Sequence, residues 1–224
     1  MKRWIKILLA ALLVTGLISV NIASAEIEKA QWKSFTPSVN ESQKSEHRRV
    51  DPYPGGGIKF WARAHSSELC ENIDACAGFH SRWWSWTIDN ASDRRANNWQ
   101  IRGTFERLEG RSGVMFGSDE PKPMHILAVL DDTSLYLIEC TRDHRILHQV
   151  QLKPEHQRKL KKTIVLTLAW KRDTGTIKCF IDDTEYIDLS GITLPSVQRF
   201  GFACTGDDKP SSAVFKKIER RWSK

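Results

Sequence analysis

The chain has 224 residues, a formal net charge of +7 at pH 7, and hydrophobic and charged fractions of 40% and 27%. These fractions are those of an ordinary globular protein, and they exclude a long disordered chain, a collagen and a polytopic membrane protein. The length fits one large domain or two small ones. The positive charge by itself indicates only a general affinity for anionic partners.

Residues 1–25 have the pattern of a secretory signal peptide. Basic residues at positions 2, 3 and 6 precede an apolar stretch from Ile7 to Val20, and a run of small residues ends at Ala25. These features are typical of processed signals, so we predict cleavage after Ala25 and export of the mature chain. An uncleaved membrane anchor is the alternative, although the apolar stretch is shorter than the ~20 residues that a spanning helix needs.

Residues 26–57 are predicted to be a polar tail or linker. The segment is weakly patterned and ends in the run DPYPGGG at positions 51–57, which cannot continue a helix or a central strand. Trp32 and Phe35 could still contact one edge of the following domain.

From residue 58 onward, twelve short runs rich in apolar residues are separated by turn residues, a pattern typical of antiparallel β-structure. The predicted strands are 58–63, 82–88, 99–106, 113–117, 124–130, 134–141, 146–152, 163–171, 177–181, 185–189, 198–205 and 213–220. The best helical candidate, 154–162, reads as one solvated turn. We therefore predict a single all-β domain over residues 58–224, built as a two-sheet antiparallel sandwich.

Alternation along a strand assigns its side chains to two faces. In the strand 99–106 the apolar face is predicted to lie in the core, and it comprises Trp99, Ile101, Gly103 and Phe105. The opposite face is available to a ligand, so Gln100, Arg102 and Glu106 are candidate ligand-binding residues.

Four tryptophans lie between positions 83 and 99. Exposed indole rings stack on sugar rings, because indole combines a large apolar area with a polar group. Alternation places Trp84 and Trp86 in the core and Trp83 on the opposite face, so Trp83 is the candidate sugar platform. The alternative is that all four belong to the core.

The five cysteines would meet an oxidising compartment after export. Cys70 and Cys76 lie close together in a polar segment, so a local disulfide is predicted between them. Cys140, Cys179 and Cys204 lie in strand-like runs, where they could be buried thiols or two of them could pair. No Cys-x-x-Cys motif occurs, so no zinc ribbon or thioredoxin-like site is indicated.

The order of these segments resembles the concanavalin A-like lectin/glucanase jelly roll, in its laminin-G-like branch. The run WQIRGTFE (99–106) followed by SGVMFG (112–117) is similar to that family's strand leading into its small-Gly-Val-hydrophobic-Phe segment. The resemblance covers residues 58–222 and is nearest to exported bacterial 3-keto-disaccharide hydrolase-type domains and stand-alone sugar-binding jelly rolls. It implies a jelly-roll sandwich in a secreted protein that faces carbohydrate.

No catalytic residues can be assigned from the sequence. Glycoside cleavage needs two carboxyl groups about 5 to 9.5 Å apart, and the Glu-x-Asp-x-x-Glu and Glu-x-Asp-x-Glu strands of the family's glucanases are absent. Glu185 and Asp188 have a different spacing, and simple alternation predicts opposite faces for them. Glu106, Asp119 and Glu120 form no evident pair, so it stays open whether the protein is an enzyme; if it is one, a glycan hydrolase is expected.

The sequence predicts no cofactor and no metal site built from histidine, because His144 and His148 would lie ~13 Å apart on a strand. Calcium at an Asp-Asp turn, 131–132 or 207–208, is a hypothesis, and plain turn formation is the alternative. Basic residues concentrate at 153–162 and near the C-terminus, where a solvated edge is the plain interpretation. The predicted partner is carbohydrate or an anionic envelope glycan, with no nucleic acid and no membrane span after processing.

The predicted function is that of an exported, lectin-like carbohydrate-binding protein, secreted or periplasmic. Two alternatives stay open: a glycoside or keto-sugar hydrolase acting on extracellular glycans, and a non-catalytic envelope domain that binds other proteins.

Overall fold

The computed structural model describes residues 27, 29–35, 48–62, 80–88, 90–119, 121, 123–141, 144–157, 162–206 and 211–224. Within them, two antiparallel sheets pack face to face with two short helices at the margins, which confirms the predicted jelly-roll sandwich. None of the helices in these ranges has the length and apolar character required to span a bilayer. The predicted signal peptide with its cleavage site at Ala25, the Cys70–Cys76 disulfide and the 207–208 turn lie outside the described residues.

All twelve predicted strands are present, with ends that differ by three residues or fewer. The strands are β1 (Lys33–Phe35), β2 (Arg48–Pro52), β3 (Ile58–Ala62), β4 (His80–Thr87), β5 (Asn98–Glu109), β6 (Arg111–Ser118), β7 (Met124–Leu130), β8 (Ser134–Cys140), β9 (His144–Gln151), β10 (Thr163–Lys171), β11 (Thr176–Ile181), β12 (Thr184–Leu189), β13 (Arg199–Gly206) and β14 (Ser211–Ser223). The helices are α1 (Ala91–Arg94) and α2 (Pro154–Gln157).

The eight-stranded front sheet has the order β12-β11-β10-β5-β14-β3-β2, and β1 also pairs with β14. The six-stranded back sheet has the order β4-β13-β6-β7-β8-β9. Neighbouring strands in both sheets run antiparallel, and β14 bends at two irregularities in its pairing with β5.

The main core fills the space between the two sheets. On β5, Trp99, Ile101 and Phe105 are fully buried, as alternation predicts. The rings of Phe202, from the back sheet, and Phe215, from the front sheet, stack with centroids 4.0 Å apart. Large aromatic side chains that meet across the two sheets account for much of the apolar burial that stabilises such a fold.

The segment 26–57, predicted to be a tail or linker, contributes two strands to the front sheet. β1 pairs with β14, and β2 pairs with β3. Both are short, and strand pairing is supplied by backbone groups that leave no apolar pattern in a polar sequence. Two side chains anchor them: Val50 is 1% exposed, and the Phe35 ring lies 4.8 Å from that of Phe200.

The three cysteines of the described strands are buried thiols and form no disulfide. Cys179 and Cys204 lie in the main core. Burial raises the pKa of both thiols, that of Cys204 to about 12 despite a contact with Ser112. Thiols in such surroundings are unreactive, because the thiolate is the nucleophilic form.

Candidate functional site

A groove of about 710 Å³ lies on the outer face of the front sheet. Its floor is formed by the outward-facing side chains of β5, β10, β11 and β12, and Trp32 and Arg221 contribute from the β1 and β14 side. The floor is polar because each of these strands buries its alternate apolar residues in the core beneath. Among the floor residues are Gln100, Thr167 and Lys178, all partly exposed.

Trp32 is the aromatic side chain at one end of this groove. The guanidinium carbons of Arg102 and Arg221 lie 4.2 and 4.5 Å from the centroid of its ring. At these distances each cation is attracted to the π-system of the indole. Arg221 Nε in turn donates a 2.8 Å hydrogen bond to Gln100 Oε1. The ring and the two guanidinium groups therefore form one connected arrangement.

Glu219, on β14, holds Arg102 in place. Its carboxylate is 7% exposed and accepts a 2.6 Å hydrogen bond from Arg102 Nε. Lys217 Nζ lies 2.8 Å from the same carboxylate, and Ser34 Oγ donates at 3.1 Å. Burial alone would raise the pKa of Glu219, but the hydrogen bonds from Arg102 and Lys217 outweigh it, and the pKa is lowered. Glu219 thus stays ionised and supports the floor of the groove.

The opposite end of the groove carries two carboxylates that share one ammonium group. Lys178 Nζ lies 2.9 Å from Glu185 Oε2 and 2.8 Å from Asp188 Oδ2. Simple alternation predicted opposite faces for these two carboxylates, and that prediction is wrong. The pairing of β11 with β12 shifts between Cys179 and Phe180, and a bulge of this kind adds one residue and returns the two side chains to the same face.

The predicted ligand-binding residues are divided between the two sheets. Gln100 and Arg102 line the groove. Glu106 lies on the same face of β5, but its carboxylate is paired with Lys216 Nζ at 2.9 Å, outside the groove lining. Trp83 lies on β4 in the back sheet, where its backbone pairs with Ala203, and its side chain is outside what the structure describes. The structure therefore does not bring Trp83 together with the other three.

Trp32, Arg221 and Lys178 are among the groove residues that were not predicted from the sequence. Trp32 lies in the polar segment before β1, Arg221 follows the predicted end of β14, and Lys178 alternates with core residues on β11. The alternation that selected Gln100 and Arg102 also applies to Lys178. It could have identified this lysine, had the neighbouring strands β10 and β11 been treated together with β5.

The Asp131 turn is held by protein donors. Its Oδ1 accepts hydrogen bonds from the backbone N–H groups of Thr133 and Ser134, and its Oδ2 accepts a 2.7 Å bond from Tyr136 Oη. These bonds are those of a turn-forming aspartate. Within the described ranges no group of three or more His, Cys, Asp and Glu side chains is arranged to hold a metal ion.

No protein-family model matches the chain, and no curated protein matches it in sequence. Among solved structures, the fold is similar to a carbohydrate-binding module, CBM66, from Bacillus subtilis, at 13% identity and a TM-score of 0.49, covering 85% of this chain and 94% of the other. It is also similar to a beta-glucanase from Bacillus licheniformis at 10% identity and a TM-score of 0.48, covering 86% and 92%.

A third similar structure is the apo Crh5 transglycosylase, at 11% identity and a TM-score of 0.48, covering 87% of this chain and 84% of the other. One of these three structures is a glucanase, a kind of protein that the resemblance found in the sequence also named. With identities this low and TM-scores below 0.5, these likenesses carry no argument about function. The function has to be argued from the groove itself.

Proposed function

We propose that this protein binds carbohydrate in the front-sheet groove. The observation that carries the proposal is the arrangement of Trp32 beside Arg102 and Arg221 at one end of an open polar groove. A sugar ring has an apolar face, which an indole can cover, and a rim of hydroxyl groups, which guanidinium, amide and carboxylate groups can bind. A groove with an aromatic side chain beside several convergent polar groups matches both requirements.

The polar groups of the groove are held in place before any ligand arrives. Glu219 orients Arg102, Gln100 accepts from Arg221, and Lys178 is bound by Glu185 and Asp188. Binding then costs little side-chain conformational entropy, which favours affinity for a hydrophilic ligand. The cations Arg102, Arg221 and Lys171 of the groove lining widen the proposed ligands to include anionic glycans.

The carboxylate pair favours binding over hydrolysis. A glycosidase keeps one carboxyl group protonated as a general acid. Here the ammonium group of Lys178 hydrogen-bonds both Asp188 and Glu185, and these bonds raise the pKa of Lys178. Both carboxylates are thus engaged by the same ammonium group, which supports a role in holding the groove and its ligand rather than in acid catalysis.

We also propose that the protein acts outside the cytoplasm, on secreted or envelope glycans. The support for this location is the signal-like pattern of residues 1–25. Export of the chain would bring the groove into the compartment where extended glycans are found.

The test is a glycan-array screen of the chain lacking residues 1–25, followed by calorimetry on any glycan that binds. Trp32→Ala should weaken binding by at least about tenfold, equivalent to ~1.4 kcal/mol. The matched control is Trp61→Ala, because Trp61 is a partly exposed tryptophan of the same sheet, on β3, outside the groove.

The groove is the wrong site if Trp61→Ala weakens binding as much as Trp32→Ala. A loss of binding with Trp83→Ala alone would place the ligand on the back sheet instead. If no glycan binds at all, the proposal of a carbohydrate-binding function fails.

A further inference from the structure

The floor of the front-sheet groove has a trough along β10. Cross-strand pairing places Lys178, Ala169, Gln100 and Arg221 in one row, on β11, β10, β5 and β14 in that order. Residues paired in this way lie on the same face of a sheet, and here that face lines the groove. Ala169 is partly exposed, and its side chain ends at Cβ, whereas the other three residues of the row have long side chains. Ala169 therefore forms the base of the trough.

The two sides of this trough carry charges of opposite sign. The acidic side, on β12, consists of Glu185 and Asp188, whose two carboxylates share the one ammonium group of Lys178. The basic side, on β5 and β14, consists of Arg102 and Arg221. β12 and β14 are four strand spacings apart in the sheet, or about 19 Å. Since the Debye length is about 8 Å at physiological ionic strength, a ligand group at one side is largely screened from the charge of the other.

The guanidinium groups of the basic side are fixed in orientation. Arg102 Nε donates to Glu219, and Arg221 Nε donates to Gln100. Both groups lie against the ring of Trp32, with guanidinium carbons 4.2 and 4.5 Å from its centroid. Two like charges held this close repel each other, and an anion bound beside them relieves the repulsion. The planar fork of a guanidinium group matches the two oxygens of a carboxylate.

The acidic side has different requirements. Its carboxylates accept hydrogen bonds, which the hydroxyl groups of a neutral sugar donate, but they repel a second carboxylate. Phe180, on β11, is partly exposed in the adjoining row of the floor, where it pairs with Thr167 of β10. Its ring gives the apolar face of a neutral sugar a surface to cover.

We propose that the ligand of the groove is a glycan in which carboxylate-bearing sugars alternate with neutral sugars. A neutral sugar lies over Ala169 beside Phe180, and the carboxylate of a neighbouring sugar binds between Arg102 and Arg221. The opposite charges of the two sides then fix the direction in which the glycan lies across the strands. This inference rests on the proposed carbohydrate-binding function and narrows it to one class of glycan.

The test is a glycan array on which each carboxylate-bearing oligosaccharide is paired with its methyl ester, which is neutral. The alternating acids are hyaluronan and unsulfated chondroitin oligosaccharides. Oligogalacturonides, with a carboxylate on every sugar, and sulfated oligosaccharides complete the array. At least one alternating acid should bind about tenfold more tightly than its ester, equivalent to ~1.4 kcal/mol in calorimetry, and more tightly than any oligogalacturonide. This comparison uses the unaltered chain, so it does not depend on the folding of a variant.

A substitution on the basic side tests where the carboxylate binds. Arg221→Gln should reduce the preference for acid over ester from about tenfold to less than about twofold, while the ester binds as before. The matched control is Arg145→Gln, which removes the same charge from β9 of the back sheet, where the arginine side chain is 68% exposed. The control should leave the preference unchanged.

A substitution at the base of the trough tests where the neutral sugar lies. Ala169→Leu should weaken the binding of acid and ester alike, by at least about tenfold, because the larger side chain fills the trough. The matched control is Thr104→Leu, which adds apolar bulk at a partly exposed position of β5 outside the groove lining. Equal binding by Ala169→Leu and this control would contradict the proposed position of the sugar.

The array separates failure of this inference from failure of the proposed function. If acids and esters bind equally, or if neutral glycans bind best, the inference is overturned and carbohydrate binding stands. Oligogalacturonides that bind as tightly as the alternating acids would overturn the role of the acidic side, and binding of sulfated members alone would overturn the choice of a carboxylate. If no glycan binds, the carbohydrate-binding function fails and this inference fails with it.

Discussion

Replacing Glu219 by Gln tests the electrostatic support of the groove. The carboxylate is buried and accepts from Arg102, Lys217 and Ser34. Hydrogen bonds to a charged group contribute about 1.5–3 kcal/mol, and the amide of the variant keeps one acceptor oxygen. We therefore expect Glu219→Gln to lower the free energy of unfolding by about 2 kcal/mol near neutral pH. For a domain of this size that corresponds to a fall in Tm of roughly 4 to 8 °C.

The lowered pKa of Glu219 determines how the effect of the substitution on stability varies with pH. The pKa of Glu219 in the folded protein is below its ordinary value of 4.5. Its contribution to stability is therefore present above the unfolded pKa and is lost as the pH falls through the lower, folded pKa. The difference between the unaltered chain and Glu219→Gln should be constant at neutral pH and should shrink as the pH is lowered below about 4.

Urea unfolding at several pH values, followed by tryptophan fluorescence, measures this difference. The control is Glu139→Gln: Glu139 Oε2 also accepts from an arginine, Arg145, at 2.7 Å, but the arginine side chain is 68% exposed. Exposed pairs of this kind contribute less than about 1 kcal/mol. A difference for Glu219→Gln that is the same near pH 3 as at pH 7, or no larger than that of the control, would refute the reasoning.

Three further predictions concern the sandwich itself. Gly103→Ala should lower the free energy of unfolding by about 1–3 kcal/mol in urea titrations, because the new Cβ would lie 2.5 Å from Val114 Cγ1 between the sheets; an unchanged midpoint would contradict the close contact. Cys179 and Cys204 should not react faster with thiol reagents in mildly alkaline buffer until the chain unfolds, because burial raises the pKa of both; rapid labelling of the folded chain would contradict their burial. Asp131→Ala should cost about 1–3 kcal/mol at neutral pH, because it leaves turn N–H groups without their acceptor, and thermal unfolding that matches the unaltered chain would argue against this role.

The strands could be predicted because their alternation has a physical origin. Each strand of the sandwich buries one face, so the period of two in residues 99–106 or 163–171 reports directly on burial. β1 and β2 could not be predicted in this way. Their pairing rests on backbone hydrogen bonds, and a polar sequence at the edge of a sheet carries no comparable pattern.

The candidate site was harder to predict for two reasons. Alternation indicates that a side chain faces outward, but it does not indicate which of the two sheets the strand belongs to. Gln100 and Trp83 were therefore grouped, although β5 and β4 belong to different sheets. Alternation also fails at a bulge, as at Glu185 and Asp188. Both facts depend on how strands pair, which is decided by contacts between residues distant in the sequence.

The two outer faces of the sandwich differ in a way that bears on where a ligand can bind. The front sheet presents Gln100, Arg102 and Lys178 to solvent in an open groove, whereas the back sheet presents Met115 and Leu127, which are fully buried. A hydrophilic ligand gains hydrogen bonds on the first face, whereas access to the second would expose buried apolar area at a cost of about 25 cal/mol per Å². This asymmetry favours the front sheet as the binding face.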